Sequence, residues 1–176
     1  MPCMALIRLT GVVLLGAAVV VAAVAVAARF SDGPIGPFAG GPFRSGQPFV
    51  GLQIDWQALA HNPQVELQLL NPPRSRTTHL VVLDNHPYIP SGIVKVGPFV
   101  FLGQAFWKRW PYEALKDPRV ILRVDGKLYQ GRATRVTDPK LHRELIALMS
   151  EKYHLDLKEP PAPERVWFFH LEPGRA

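Results

Sequence analysis

An uninterrupted apolar run near the N-terminus limits what this chain can fold into more than any other feature. Residues 11–28 (GVVLLGAAVVVAAVAVAA) contain no polar side chain. As a helix that rises ~1.5 Å per residue, the run is roughly 27 Å long, close to the hydrocarbon thickness of a bilayer. A helix that is apolar on all sides needs lipid or a large protein around it, and this chain has 176 residues. The run therefore predicts a single N-terminal transmembrane helix.

A cleaved secretory signal is the alternative interpretation of the same run. Arg8 supplies a positive charge before it, and residues 25–27 (AVA) have the small-x-small form of a cleavage site. Against this, the run is longer than the apolar region of about 7–15 residues in most signals. Arg8 on one side, and Arg29 offset by Asp32 on the other, favour an inner-membrane protein whose globular domain is periplasmic or extracytoplasmic.

Composition divides the chain into three parts. Residues 1–29 are the anchor or an uncleaved signal, and residues 5–28 would contact membrane lipid. Residues 30–48 form a linker, because the five glycines and four prolines in SDGPIGPFAGGPFRSGQP exclude a regular helix or a central strand. Residues 49–176 are long enough to bury a core and predict one globular domain.

The globular part is predicted to be mainly β. Period-two alternation and β-branched residues predict strands at residues 64–70, 77–83, 120–124, 127–136 and 165–171, with a further extended piece from Tyr88. Amphipathic spacing and N-terminal prolines predict helices at residues 111–116 and 139–153, and residues 53–60 predict a helical turn. Residues 71–76 are read as a proline-initiated loop, and residues 91–103 as an irregular strand or a loop. An antiparallel barrel with a packed helix would cover so many strand edges.

Several functional classes find no support in the sequence. The formal net charge of +6 suits an anionic ligand or anionic lipid, but no basic run interleaved with aromatic residues points to nucleic acid. The single cysteine, Cys3, cannot form an internal disulfide, and the six histidines lack the spacing of a metal site. No nucleophile elbow, phosphate loop or dinucleotide-binding fingerprint is present.

Residues 117–138 (DPRVILRVDGKLYQGRATRVTD) resemble a hairpin of the flavin-binding split-barrel proteins, the pyridoxamine-phosphate-oxidase-like superfamily. The segment PPRSRTTHLVVLDNHPYIPSG is similar to the second and third strands of that fold, and the resemblance spans residues 62–155. The GPIGPxxGGP, PPRSRTT and KRWP segments also resemble membrane-anchored bacterial members of unestablished activity. The resemblance implies an α+β protein with an antiparallel split β-barrel and one or two packed helices, a homodimer, and flavin mononucleotide (FMN) as cofactor.

The resemblance places the flavin phosphate on a polar run that leads from the predicted loop into the following strand. The residues that it implies are Arg74, Ser75, Arg76, Thr77 and Thr78. Guanidinium groups bind phosphate through paired hydrogen bonds, and hydroxyl groups donate at close range. The same run is also typical of an ordinary solvated sheet edge, and the sequence leaves both interpretations open.

A second cluster consists of Lys108, Arg109 and Trp110, with Phe106, Trp107 and Tyr112 around them. Its cations and indole rings would suit a planar anionic ligand bound through cation–π contacts. The same composition suits a membrane-facing surface, or aromatic side chains that close the end of the barrel.

Two hypotheses of function follow. In the first, the chain binds FMN and is an oxidoreductase, since a flavin carries out the redox chemistry while the protein supplies binding and orientation. Arg74, Arg76, Thr77 and Thr78 would hold the phosphate, and residues 108–110 would cover the ring or the substrate. No catalytic residue is assigned in that case. In the second, the chain is a non-catalytic envelope protein whose barrel binds lipid, haem or a protein partner.

Overall fold

The computed structural model describes residues 2–51, 53–96, 99–102, 108–155, 157, 160–161 and 163–174. Within these residues there are four helices: α1 (Pro2–Ala28), α2 (Trp56–Leu59), α3 (Trp110–Lys116) and α4 (Pro139–Tyr153). The strands are β1 (Gln47–Pro48), β2 (Val65–Leu70), β3 (Pro73–Thr78), β4 (Val81–Leu83), β5 (His86–Ser91), β6 (Ile93–Val96), β7 (Phe99–Leu102), β8 (Arg119–Val124), β9 (Lys127–Arg135) and β10 (Trp167–Pro173).

The main sheet is an antiparallel half-barrel. Its strand order is β3-β2-β8-β9-β10-β5-β4, with β1 in a parallel pairing beside β9. The two edge strands, β3 and β4, are consecutive in the chain and are joined by His79 and Leu80 alone. Because three residue steps span at most ~10 Å, the edges must approach each other and the sheet must curl. The predicted split-barrel fold is confirmed.

Two hydrophobic clusters lie on opposite faces of this sheet. Phe169 is fully buried on the inner face, in a cluster with Leu67 and Leu122. The preceding residue, Phe168, is fully buried on the outer face, where the sheet packs against Leu145 and the rest of α4. The clusters differ because successive side chains of a strand point to opposite faces.

The elements with strong local signals lie where the sequence predicts them. Helix α4 begins after Asp138, whose carboxylate accepts a hydrogen bond from the backbone N–H of Lys140 at 2.9 Å, with Pro139 as its first residue. The hairpin of β8 and β9 turns at Asp125 and Gly126, whose φ angles are 49° and 73°. Both values suit the Asp-Gly pair of a type I′ turn.

The strand predicted at residues 77–83 is divided between β3 and β4 by His79 and Leu80, and the loop predicted at residues 71–76 is wrong from Pro73 onwards. The chain is already extended at Pro73, forms β3 to Thr78, and starts β4 at Val81. Pro73 is compatible with this strand because it is the first residue of an edge strand, where a missing N–H costs little. Part of the segment left open at residues 91–103 is a hairpin of β6 and β7, and residues 97, 98 and 103 lie outside the described part of the chain.

The glycine- and proline-rich residues 31–48, here named the strap, lie against the outer face of the half-barrel. Backbone bonds join Gly40 to Ser75 in both directions, at 2.9 and 3.2 Å. The backbone N–H of Phe43 donates to Gln68 Oε1 at 2.6 Å. Gly41 is needed here, because a β carbon would lie 2.8 Å from the carbonyl oxygen of Arg29. The segment has little regular structure, as predicted, and it covers part of the sheet.

Asp32 fastens the strap to the sheet and gives it a pH dependence. Hydrogen bonds from the Ser45 hydroxyl and the Arg44 backbone, together with the Arg123 charge, lower the pKa of Asp32 from 3.8 to about 2. Because the pKa is lowered by folding, the stabilisation is present above about pH 4 and is lost as the pH falls towards about 2. We expect the urea midpoint of the wild type to fall in this interval more steeply than that of Asp32→Asn. If the urea midpoints of the two proteins fall equally steeply with pH, the pH dependence does not arise from Asp32.

Helix α1 contains a segment, Thr10–Ala28, that is long and apolar enough to cross a membrane, with a mean hydropathy of 2.7. Its side chains from residue 10 onwards are largely exposed, whereas Ala28 at its end is buried against the domain. The helix therefore offers an apolar surface that the rest of the described chain does not cover.

Candidate functional site

The alternation of β3 divides the first predicted cluster between two faces of the sheet. Arg74, Arg76 and Thr78 lie directly opposite Leu69, Leu67 and Val65 of β2, whose side chains belong to the inner core. Directly opposite residues share a face. Ser75 and Thr77 therefore point outwards, towards the strap.

Arg76 is the most buried cation of the predicted set. Its side chain is 17% exposed, its Cζ lies 5.7 Å from the centre of the Trp110 ring, and its Nη2 lies 4.0 Å from Glu113 Oε2. Burial lowers the pKa of Arg76 to about 10, and Glu113 partly opposes this. Its Nε is buried and has no hydrogen-bond partner among the described residues. A buried donor of this kind is costly unless another acceptor satisfies it.

Further basic groups surround Arg76. Lys108 is half-buried, and its pKa is lowered by burial and by the charge of Arg76. The pKa of His79 is lowered by burial and then by Lys108 and Lys152. These four residues, Arg76, His79, Lys108 and Lys152, are named the basic cluster. Arg76 disfavours the charged form of Lys108, and Lys108 and Lys152 disfavour the charged form of His79. A bound anion would relieve this repulsion.

Lys152 is held at the back of the basic cluster by backbone carbonyls. Its Nζ donates to the carbonyl oxygens of Leu80, at 2.7 Å, and Asn62, at 2.8 Å. Burial lowers the pKa of Lys152 to about 8. The ring of the next residue, Tyr153, meets His79 edge-on with 4.6 Å between ring centres. The last turn of α4 thus holds Lys152 and Tyr153 against the link between β3 and β4, where His79 lies.

Several of the predicted site residues do not belong to the basic cluster. The Ser75 hydroxyl is fully buried and donates to the carbonyl oxygen of Gly41 at 2.6 Å. Thr77 is exposed on the outer face, Arg74 donates to the carbonyl oxygen of Arg29 at 3.3 Å, and Arg109 is exposed before α3. The structure thus brings Arg76, Lys108 and Trp110 together, with Thr78 on the same face. Of the flanking aromatic residues, Phe106 and Trp107 lie outside the described part of the chain.

A cleft of about 610 Å³ lies elsewhere, between the strap and the hairpin of β8 and β9. Thr77 is its one predicted lining residue, and its charged lining consists of Asp32, Glu66 and Asp125 against Arg123. The excess of carboxylates is unfavourable for phosphate. The basic cluster is therefore the better site for an anion.

Sequence reasoning did not nominate Glu113 or Lys152 for the site. Glu113 lies on α3 and Lys152 in the last turn of α4. Each reaches the basic cluster through packing between elements distant in the chain, so no local pattern pointed to them. His79 was not nominated either; it is half-buried and lies in the link between β3 and β4.

No protein-family model and no curated protein matches the chain. Solved structures similar to it include a putative pyridoxamine 5'-phosphate oxidase from Listeria innocua, 14% identical, with a TM-score of 0.47 over 70% of this chain and 95% of that one. A FAD-binding protein from Mesorhizobium loti is 18% identical, with a TM-score of 0.46 over 72% and 91%. General Stress Protein 26 from Bacillus anthracis is 12% identical, with a TM-score of 0.44 over 66% and 84%. The half-barrel assignment stands on the strand order of this chain.

Proposed function

We propose that this chain is a membrane-anchored flavin-binding protein in which the basic cluster holds the phosphate of FMN. The observation that carries the proposal is the buried guanidinium of Arg76, whose Nε lacks a partner among the described residues and which has Lys108 beside it. Glu113, at 4.0 Å, offsets one of these two charges. The net positive charge that remains suits a phosphate.

The residues of the cluster fit different parts of such a ligand. Arg76 would donate to phosphate oxygens through its fork of N–H groups, and Lys108 would add a compact charge. Trp110 is buried beneath Arg76 and keeps the guanidinium oriented by a cation–π contact. A bound flavin supplies the hydride or electron transfer, and on this basis the protein would act as an oxidoreductase.

The anchor and the dimer are parts of the same proposal. α1 would stay attached as a membrane span, because Ala28 at its end is buried and its carbonyl oxygen accepts a hydrogen bond from the backbone of Ser31. The charges flanking the span favour an extracytoplasmic domain at the inner membrane. The sequence resemblance implies that two copies associate, and light scattering of the detergent-solubilised protein would test this.

The deciding experiment compares two flavins that differ by the phosphate group. The full-length protein in detergent is incubated with FMN or with riboflavin, desalted, and its absorption spectrum recorded through the near-ultraviolet and visible range. We expect flavin bands after FMN and much weaker bands after riboflavin. Equal retention of both would contradict a phosphate site, and retention of neither would contradict flavin binding. A Soret band in the untreated protein would instead support the haem-binding alternative.

A further inference from the structure

The membrane-spanning segment is joined to the domain without a flexible spacer. The backbone N–H and the hydroxyl of Ser31 donate to the carbonyl oxygen of Ala28, at 3.1 and 2.6 Å, so the helix end is capped within three residues. The carbonyl oxygen of Arg29 accepts a hydrogen bond from Arg74 on β3. One edge of the half-barrel is therefore held next to the end of α1.

The strand register defines which surface lies at that edge. Leu69 is opposite Arg74 on one side and Val120 on the other, so the end of β2 and the start of β8 lie beside the start of β3. Exposed and half-buried residues meet there and are named the docking corner. They are Arg29, Phe30, Leu70, Arg74 and Arg119.

The chemistry of the docking corner suits the headgroup region of a bilayer. Phe30 is 70% exposed only two residues after the span, and Leu70 is 36% exposed at the end of β2. The guanidinium groups of Arg29, Arg74 and Arg119 belong to the same corner. That of Arg119 forms an ion pair with Asp117 at 2.7 Å. Basic residues with apolar side chains beside them bind at membrane surfaces that contain anionic lipid.

We propose that the domain is seated on the bilayer through the docking corner, with its guanidinium groups on the phosphates of anionic lipid headgroups. This inference rests on the proposed membrane anchor and is independent of flavin binding. It gives the domain one orientation. The opposite end of β8, with the turn at Asp125 and Gly126, lies ~16 Å further along the strand and points away from the membrane.

Depth-dependent quenching tests the orientation in the full-length protein. A bimane label is placed at Asn71→Cys, in the exposed turn next to Leu70 of the docking corner, or at Lys127→Cys, at the opposite end of the hairpin of β8 and β9. Each variant also carries Cys3→Ser. The protein is reconstituted into vesicles of phosphatidylcholine and phosphatidylglycerol with a spin label on the headgroups. We expect several-fold stronger quenching at position 71 than at position 127.

The outcomes separate the parts of the inference. A protein that does not float with the vesicles lacks the anchor, which overturns both this inference and the membrane part of the proposed function. Flotation with equal quenching at the two positions overturns the orientation alone. The Arg119→Gln substitution, or omission of phosphatidylglycerol, should reduce quenching at position 71. Quenching that is unchanged by either would overturn the role of headgroup phosphates.

Discussion

Replacing Arg76 by glutamine should weaken FMN binding by about 10- to 100-fold, because a hydrogen bond to a charged group contributes about 1.5–3 kcal/mol. Glutamine keeps a polar side chain of similar reach but removes the charge and the forked donors. The change acts at the one cation in the cluster that has an unsatisfied buried nitrogen among the described residues. Titration of the full-length protein, followed by quenching of flavin fluorescence, measures the affinity.

Two companion variants distinguish a phosphate site from a general loss of structure. Arg143→Gln removes the same charge from an exposed position on α4 and should leave the affinity close to that of the wild type. Glu113→Gln removes the negative charge that partly neutralises Arg76 and would repel a phosphate, so it should strengthen FMN binding. Opposite signs for Arg76→Gln and Glu113→Gln are not expected from a folding defect. If Arg76→Gln binds FMN as Arg143→Gln does, the basic cluster does not hold the phosphate.

The sequence predicted the elements whose signals are local. Helix α4 has its capping aspartate, its proline and its apolar spacing within one segment, so its bounds follow from neighbouring residues. The hairpin of β8 and β9 likewise has its turn chemistry in two adjacent residues, Asp125 and Gly126. The order of strands in the sheet could not be predicted in this way. The pairing of β10 with both β9 and β5 joins segments far apart in the chain.

The site was predicted only in part, for a related reason. The flavin hypothesis placed Arg76 at the phosphate and the Lys108–Trp110 cluster at the ring of one ligand, but no local pattern indicated that α3 brings Trp110 against Arg76. Treating residues 71–76 as a loop also concealed the alternation of β3. Once the run is a strand, Ser75 and Thr77 must face away from Arg76.

Composition also did not show whether residues 31–48 are a flexible linker or a segment that packs on the sheet. Glycine and proline predict the absence of regular structure, and that prediction is independent of whether the segment packs on a surface. Here the packing depends on glycines that permit close backbone approach, such as Gly41, and on side chains that the sheet supplies. Arg123 is the most important of these side chains, and its removal tests the packed state directly.

Replacing Arg123 by methionine should lower the free energy of unfolding by about 2–3 kcal/mol, somewhat less than the 3–5 kcal/mol typical of breaking a fully buried ion pair. Arg123 donates to the carboxylates of Glu66 and Asp32, and its guanidinium lies 4.2 Å from the centre of the Phe43 ring. Its side chain is 13% exposed, so both acids would lose a partly desolvated partner. Methionine keeps much of the aliphatic stem, which limits the effect to the lost charge and hydrogen bonds.

The matched control lies on the same strand. The side chain of Arg119 on β8 is 59% exposed and pairs only with Asp117 among the described residues. Arg119→Met should therefore leave the free energy of unfolding nearly unchanged. Urea unfolding of the full-length proteins gives the stabilities, and the rate of tryptic cleavage after Arg44 reports whether the strap has detached. We expect faster cleavage in Arg123→Met alone. If the two variants match in both measurements, Arg123 does not fasten residues 31–48, and the segment would be the surface tether that its composition suggests.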